Sequence, residues 1–353
     1  MSKTVTYCIG LMSGTSLDGV DLVYTKFHDT NSYSFKIINC ITIPYSKKWL
    51  QLLKDAFHFN KKQLQQLDLE YGNYLSKLIL DFIQKYSIKK IDFIASHGHT
   101  IHHKPEKGYT LQIGNGQIIA NNTKIKTICD FRTQDVAYGG QGAPLVPIGD
   151  KLLFANYTYC LNLGGFANIS FDVYNTRIAF DIGAVNTVLN HYANKLGFLY
   201  DTNGAIAKSG KLIPNLLNEL NTLEFYKTNY PKSLGFEYVN AILIPLIDTY
   251  NLDEKDILRT YVEHIAFQIS EQIKELGNVL ITGGGVFNTF LIERITSYSK
   301  NKIVIPNKDI IDFKEALIFA FLGLRKNKNE INCLKSVTGA DKDHSSGVIF
   351  SSK

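Results

Sequence analysis

Two carboxylates follow a turn of small residues in "GLMSGTSLDGVD", residues 10–21, and no lysine stands where a Walker loop would need one. Two further stretches share this make-up: "NLGGFANIS" at residues 162–170 and "TGGGVFN" at residues 282–288. Each follows a strand-like apolar run. Glycine turns let backbone N–H groups converge on one concavity, which suits an anion. Small side chains let its oxygens come close to the chain. The first loop offers Gly10, Ser13, Gly14, Thr15 and Ser16, with hydroxyls as added donors. The second offers Gly164 and Gly165, the third Gly283, Gly284 and Gly285. The third also opens a helix, whose N–H groups and dipole favour a polar or anionic ligand. Any one loop is a weak signal; three in this order are a specific one.

Those loops need strands to aim them. "TVTYCIGL" precedes the first and "VDLVYTKF" follows it, so the loop reads as a β-hairpin tip, whereas a Walker or Rossmann loop leads into a helix. "SYSFKIINCITIPY" reads as a third strand and "IDFIAS" as a buried one. Between them, "SKKWLQLLKDAF" and "LDLEYGNYLSKLILDFIQKY" carry helical spacing, with Leu67, Tyr71, Leu75, Leu78 and Phe82 on one face. "TYCLNLGGFANISFDVY" at residues 158–174 echoes the N-terminal strand–turn–strand, and "RIAFDIG" supplies its third strand; the echo implies duplication of one α/β unit. A helix in "DEKDILRTYVEHIAFQISEQIKEL", the strand "NVLIT", a helix in "NTFLIERITSYS", the strand "KIVIP" and a helix in "FKEALIFAFLGLRK" complete the second half. Glycines and a proline cluster at residues 129–144, the expected domain crossing. The expected domains are 1–131 plus 332–353, and 132–331.

A chain of 353 residues, 45% hydrophobic and 20% charged, has room for two cores. No apolar run is long enough for a membrane span, and no leader pattern precedes the first strand, so a cytoplasmic protein is expected. Five dispersed cysteines without a Cys-x-x-Cys point to reduced, buried thiols. The net charge of +6 comes from scattered lysines. It suits attraction of small anions and, lacking a basic stripe, speaks against nucleic acid.

The loops together resemble the superfamily of sugar kinases, actin and heat-shock chaperone ATPases. More closely, "GLMSGTSLDGVD", "SHGHTIHHKP", "TLQIGN", "DFRTQDVAYGGQGAPLVP", "LNLGGFANIS", "FDIGAVN", "TGGGVFN" and "KEALIFAFLGLR" resemble, in order along nearly the whole chain, the anhydro-N-acetylmuramic acid kinase family. The resemblance implies an α/β protein of two ribonuclease-H-like domains, the actin-like ATPase and sugar-kinase fold, with a nucleotide cleft between them. It implies ATP and Mg²⁺, an anhydro-amino-sugar substrate in cell-wall recycling, and a homodimer. The implied reaction opens the 1,6-anhydro bridge with water and phosphorylates the sixth oxygen. Rivals are another sugar kinase of the superfamily and a nucleotide-binding scaffold without catalysis.

Residue roles follow from the match. Asp181, at the end of "RIAFD", matches the catalytic aspartate, a general base for water; by spacing alone it is equally a strand-end cap. Glu315 matches a carboxylate near the sugar, against a first-turn glutamate favoured by the helix dipole. Arg132 matches an arginine at the sugar, where its planar fork suits a carboxylate, against an interdomain ion pair. His97 and Asn186 are expected to touch substrate, and Asp18 to sit near Mg²⁺. Asn288 caps the next helix or touches nucleotide. Four histidines, His97, His99, His102 and His103, are dense enough for zinc, but the kinase pattern favours polar contacts in the sugar cleft. Relatives read Asp-Thr-Gly-Pro-Gly-Asn where this chain has "DIGAVN", so Ile182, Ala184 and Val185 depart, as does Asn115 in "QIGN". Both stretches are expected to face the sugar.

Overall fold

Residues 4–14, 17–30 and 32–353 are described by a computed structural model. Thr15 and Ser16, expected to bind phosphate, lie outside the described residues. Among the described residues twelve strands run in chain order: β1 (Thr4–Ser13), β2 (Gly19–Asp29), β3 (Tyr33–Pro44), β4 (Phe93–Lys104), β5 (Tyr109–Ile113), β6 (Thr127–Cys129), β7 (Tyr159–Leu163), β8 (Phe166–Val173), β9 (Thr176–Ala184), β10 (Asn278–Thr282), β11 (Lys302–Val304) and β12 (Val348–Phe350). They divide between two compact units, Met1–Leu153 with Phe313–Lys353, and Phe154–Asp312.

The first unit holds a sheet in the order β12-β6-β4-β1-β2-β3, with β5 paired to β4. The second holds β11-β10-β7-β8-β9. Both sheets follow one plan. Three strands form an antiparallel meander, then two cross over to run parallel beside the first: β1, β4 and β6 in one, β7, β10 and β11 in the other. That order is the ribonuclease-H-like topology, and its repetition is what the sequence echo implied. The hairpin tips after β1 and β7 are the first two glycine loops.

Each sheet buries its own core. In the first unit Leu67, Tyr71, Leu75, Leu78 and Phe82, on the helix Lys61–Lys85, pack with Ile9, Leu11 and Ile94 of the sheet. This helix starts earlier than its apolar stripe. Asn60 and Gln63 form a reciprocal capping box that satisfies two otherwise orphaned N–H groups. In the second unit the helix Glu254–Gln272 presents Ile257, Leu258, Tyr261, Val262, Ile265 and Ile269 to the core.

The domain boundaries differ from those expected from composition. Residues 132–153 and 313–331 belong to the first unit. The reason is packing. The seam of the helix Lys308–Asn327 is made of small residues, and it lies directly on β1 and β4. A Cβ at Gly10 would stand 2.2 Å from the Ala316 carbonyl oxygen, and one at Gly323 would stand 2.6 Å from the Ala95 Cβ. Gly149 meets Ile318, and Lys314 forms a buried ion pair with Asp150 at 2.8 Å. The glycine cluster that looked like a crossing is a strap folded back onto the first unit, where Asp135 accepts from the Thr338 hydroxyl and the Gln141 N–H donates to the Thr338 carbonyl. All five cysteines are free, four of them buried. Among the described residues no helix is long and apolar enough to cross a membrane.

Candidate functional site

In the first unit the site is built around Arg132. Asp130 accepts from the Thr133 N–H and starts the short helix Thr133–Ala137, which leaves Arg132 at its N-terminal edge. The Arg132 Nε donates to His97 Nε2 at 2.9 Å, and a terminal nitrogen donates to the Gly142 carbonyl at 2.6 Å. His97 Nδ1 lies 3.0 Å from the Gly98 carbonyl, so it carries the ring proton and Nε2 is the acceptor. The His97 ring and the Arg132 guanidinium both pack on Phe319, with His97 tilted at 4.6 Å and the Arg132 carbon at 5.9 Å from the centre of its ring. Burial, then the charge of Arg132, holds His97 well below the usual histidine pKa, hence neutral. Burial likewise lowers Arg132 to about 10, while Glu315, Cys333 and Asp135 pull it back up.

Glu315 and Phe319 stand one turn apart on the helix Lys308–Asn327, on one face. Glu315 keeps exposed surface, yet protein surrounds it closely enough for desolvation to raise its carboxyl above the usual range; Arg132 and Lys314 oppose that rise, and Asp18 adds to it. Asp18, at the hairpin tip, is exposed. Glu315 therefore feels the charges of both Arg132 and Asp18. The expected helix start at Glu315 is corrected: the helix begins at Lys308, so Glu315 lies two turns inside it and the helix dipole does not account for it.

Three expected binders in this unit have other tasks. Both ring nitrogens of His97 are engaged, so it positions Arg132 and has no nitrogen left for a sugar. The Ser13 hydroxyl is buried between Tyr45 (2.6 Å) and His99 (2.8 Å), with Tyr71 beyond, which removes it from phosphate contact. Gly10 is a packing glycine in mid-strand. Gly14 remains at the tip, its carbonyl accepting from the Leu17 N–H. The histidine-rich stretch is β4 and does not converge on a metal. His103 pairs with Thr110 and His102 lies against Phe57 and Tyr109.

In the second unit Asp181 lies within β9, three residues before its end, so the strand-end cap is excluded. A bulge between Ala167 and Asn168 shifts the β8–β9 register and sets Asn168 opposite Asp181. Asn168 donates to Oδ1, and the Leu234 N–H donates to Oδ2 at 2.8 Å. Asn162 in turn donates to Asn168. Burial raises the Asp181 carboxyl above its usual range; the two hydrogen bonds limit the rise. A fixed, partly desolvated carboxylate of this kind can accept a proton from water. The sequence reading missed Asn162 and Asn168, although both flank the glycines of "NLGGFANIS"; strand alternation with a bulge was the available signal.

Carbonyls of Gly164 and Gly165 accept from Asn186, Val185 and Thr187 N–H groups and so cap the helix Asn186–Lys195. The Asn186 side chain points back to the Leu163 carbonyl. Gly283, at φ +86°, and Gly285 pack against the end of β7, with 2.6 and 2.7 Å to Asn162 and Leu163 for a built Cβ, whereas Gly284 faces open space. Asn288 caps the helix Thr289–Tyr298, its Oδ1 accepting from the Leu291 N–H at 2.9 Å. The departures are also placed. Ile182, Ala184 and Val185 are buried in the core of the second unit. Asn115 caps the helix Gly116–Thr123, and its amide donates to Asp68 at 2.8 Å, where an aspartate would meet like charge.

The family model "Anhydro-N-acetylmuramic acid kinase" matches residues 6–352. The chain belongs to the anhydro-N-acetylmuramic acid kinase family. A relative of that name from Shewanella oneidensis is 36% identical, covering 98% of this chain and 99% of its own. Another from Aliivibrio fischeri is 34% identical over 97% and 98%. Among solved structures, the activator of the 2-hydroxyisocaproyl-CoA dehydratase from Clostridium difficile is similar over 92% of this chain and 97% of its own, with 13% identity and a TM-score of 0.44. That likeness is too distant to bear on function; family membership carries it, and makes this chain an enzyme of the kinase class.

Proposed function

We propose that this chain uses ATP and water on 1,6-anhydro-N-acetylmuramic acid, giving N-acetylmuramate 6-phosphate and ADP. Water adds its oxygen to the anomeric carbon, the bond from that carbon to the sixth oxygen breaks, and this oxygen takes the γ-phosphoryl group as ADP leaves. Asp181 accepts the proton of the attacking water. This assignment carries the reading, because Asn168 and Leu234 hold the carboxylate in place while burial raises its basicity.

Arg132, aimed by His97 and Gly142, matches the lactyl carboxylate with its fork. Glu315, its carboxyl raised, is suited to hold or relay a proton near the sugar. Backbone at Gly14 and Gly284, with Gly164 and Gly165, is assigned to the nucleotide. Hard, exposed oxygen donors suit Mg²⁺, and the exposed Asp18 carboxylate fits it. Bound there, the ion would offset phosphate charge. With ATP as co-substrate, the work belongs in the cytoplasm.

The test is a product mass. Incubation with ATP, Mg²⁺ and the anhydro-sugar is expected to add one phosphoryl group and one water to the sugar. Gain of phosphate alone, or turnover only on N-acetylmuramate or N-acetylglucosamine, would make this another sugar kinase. ATP binding without turnover would make it a scaffold.

A further inference from the structure

Three side chains outside the proposed reaction meet inside the first unit. Asp135 stands on the helix Thr133–Ala137, and Cys333 and His344 face each other across an isolated antiparallel bridge. All three are buried. Asp135 Oδ1 lies 2.9 Å from Cys333 Sγ and 3.6 Å from His344 Nε2. The three donor atoms fall within 4.8 Å of one another. Tetrahedral zinc, with bonds of about 2.0–2.3 Å, holds its donors roughly 3.3–3.7 Å apart, so only small shifts are needed.

The His344 ring supplies an independent observation. Its Nδ1 lies 3.0 Å from the Lys342 carbonyl, an acceptor, and so carries the proton of the neutral ring. Nε2 then turns a lone pair toward a carboxylate and takes no hydrogen bond, although it is buried. Such an arrangement is repulsive unless a cation lies between the two groups or the ring is protonated. An imidazole whose Nδ1–H is fixed by a backbone carbonyl, leaving Nε2 bare, is how zinc-binding histidines are oriented.

We infer that Asp135, Cys333 and His344 form a closed, structural site for Zn²⁺. The mixed oxygen, sulfur and nitrogen set suits this borderline-soft ion. On binding, the Cys333 thiol gives its proton to solvent, and one thiolate plus one carboxylate neutralise the dication. Thr338 Oγ1, 2.7 Å from Asp135 Oδ1, is an oxygen at hand for the fourth position. The metal fastens the C-terminal tail to the strap that holds Arg132. The other Asp135 oxygen accepts from the Gly142 N–H at 2.7 Å, and the Gly142 carbonyl accepts from Arg132.

The test uses the full chain, reduced and stripped with a chelator, then titrated with Zn²⁺ and separately with Co²⁺. One equivalent of Zn²⁺ is expected, with a rise in Tm, and Co²⁺ is expected to give a thiolate charge-transfer band. Cys333→Ser and His344→Gln should each lose at least about ten-fold in zinc affinity, and Cys333→Ser should lose the band. Far-ultraviolet circular dichroism checks that each variant folds, and His344→Gln alone gives the same affinity readout if Cys333→Ser does not. Absence of saturable binding at ten-fold excess of Zn²⁺, or unchanged affinity in His344→Gln, overturns the site. Neither result touches the kinase reading, since no nucleotide or sugar is present.

Discussion

Asp181 is where position and protonation meet. A general base works only when deprotonated, so a carboxyl raised by burial moves the acid limb of kcat/KM to higher pH than an ordinary aspartate would give. Asn168 and the Leu234 N–H favour the charged form. Asn168→Ala removes one of these bonds, raises the pKa further, and should shift that limb upward; a pH–rate profile with an unmoved or lowered limb would contradict the role. Asp181→Asn cannot take the proton and should lower kcat by roughly 10²-fold or more, measured by coupled ADP release. His97 is tested differently, because it acts through Arg132. His97→Ala leaves the guanidinium charged but loosely aimed, so KM for the sugar should rise by about ten-fold, the scale of one charge-assisted hydrogen bond, with kcat changed less. Loss confined to kcat would point to direct chemistry by His97.

Elements explain why some of these residues were legible and others were not. Asp181, Arg132 and Glu315 stood out because their surroundings match a family pattern; the hairpins and the long helices stood out through periodicity. The tasks of His97, Ser13 and Gly10 were hidden, since each depends on partners 35, 86 or more than 300 positions away in the chain. Gly10 belongs to a seam, not to a phosphate loop. Gly10→Ala would press a methyl group on the Ala316 carbonyl and should cost about 1–3 kcal/mol of stability, the usual range for overpacking; a urea midpoint equal to wild type would show that the helix can retreat. A second element-scale device joins the helices Glu254–Gln272 and Thr289–Tyr298. Burial pushes Glu263 up, but hydrogen bonds from Arg294, Arg259 and Tyr298 outweigh it and hold the carboxyl at about 2. Because the folded pKa is depressed, this stabilisation is complete above the unfolded value and fades as pH falls through about 4 toward 2. Glu263→Ala leaves two partly exposed arginines without it and should cost roughly 2 kcal/mol, less than for a fully buried pair. The difference from wild type should shrink in acid; a gap that stays constant from pH 7 to 3 would remove the electrostatic explanation.

At the scale of the whole molecule, a positive net charge acts on the substrates before any contact forms. Both proposed substrates are anions: a nucleoside triphosphate and a sugar acid. The chain carries 38 lysines and arginines against 32 aspartates and glutamates, a net charge of +6. A field of that sign raises the encounter rate of small anions and is screened over about 10 Å at 0.1 M salt. Turnover by groups already in contact is screened far less. Raising ionic strength from about 0.02 to 0.2 M should therefore lower kcat/KM for both substrates by a few-fold, while kcat stays nearly constant. The effect should be larger for ATP, which bears more charge than the single lactyl carboxylate. Initial rates with each substrate varied against a saturating amount of the other separate the two. A flat salt dependence would assign the scattered lysines to solubility alone, and a fall in kcat with KM unchanged would mean that salt acts on the reacting groups themselves.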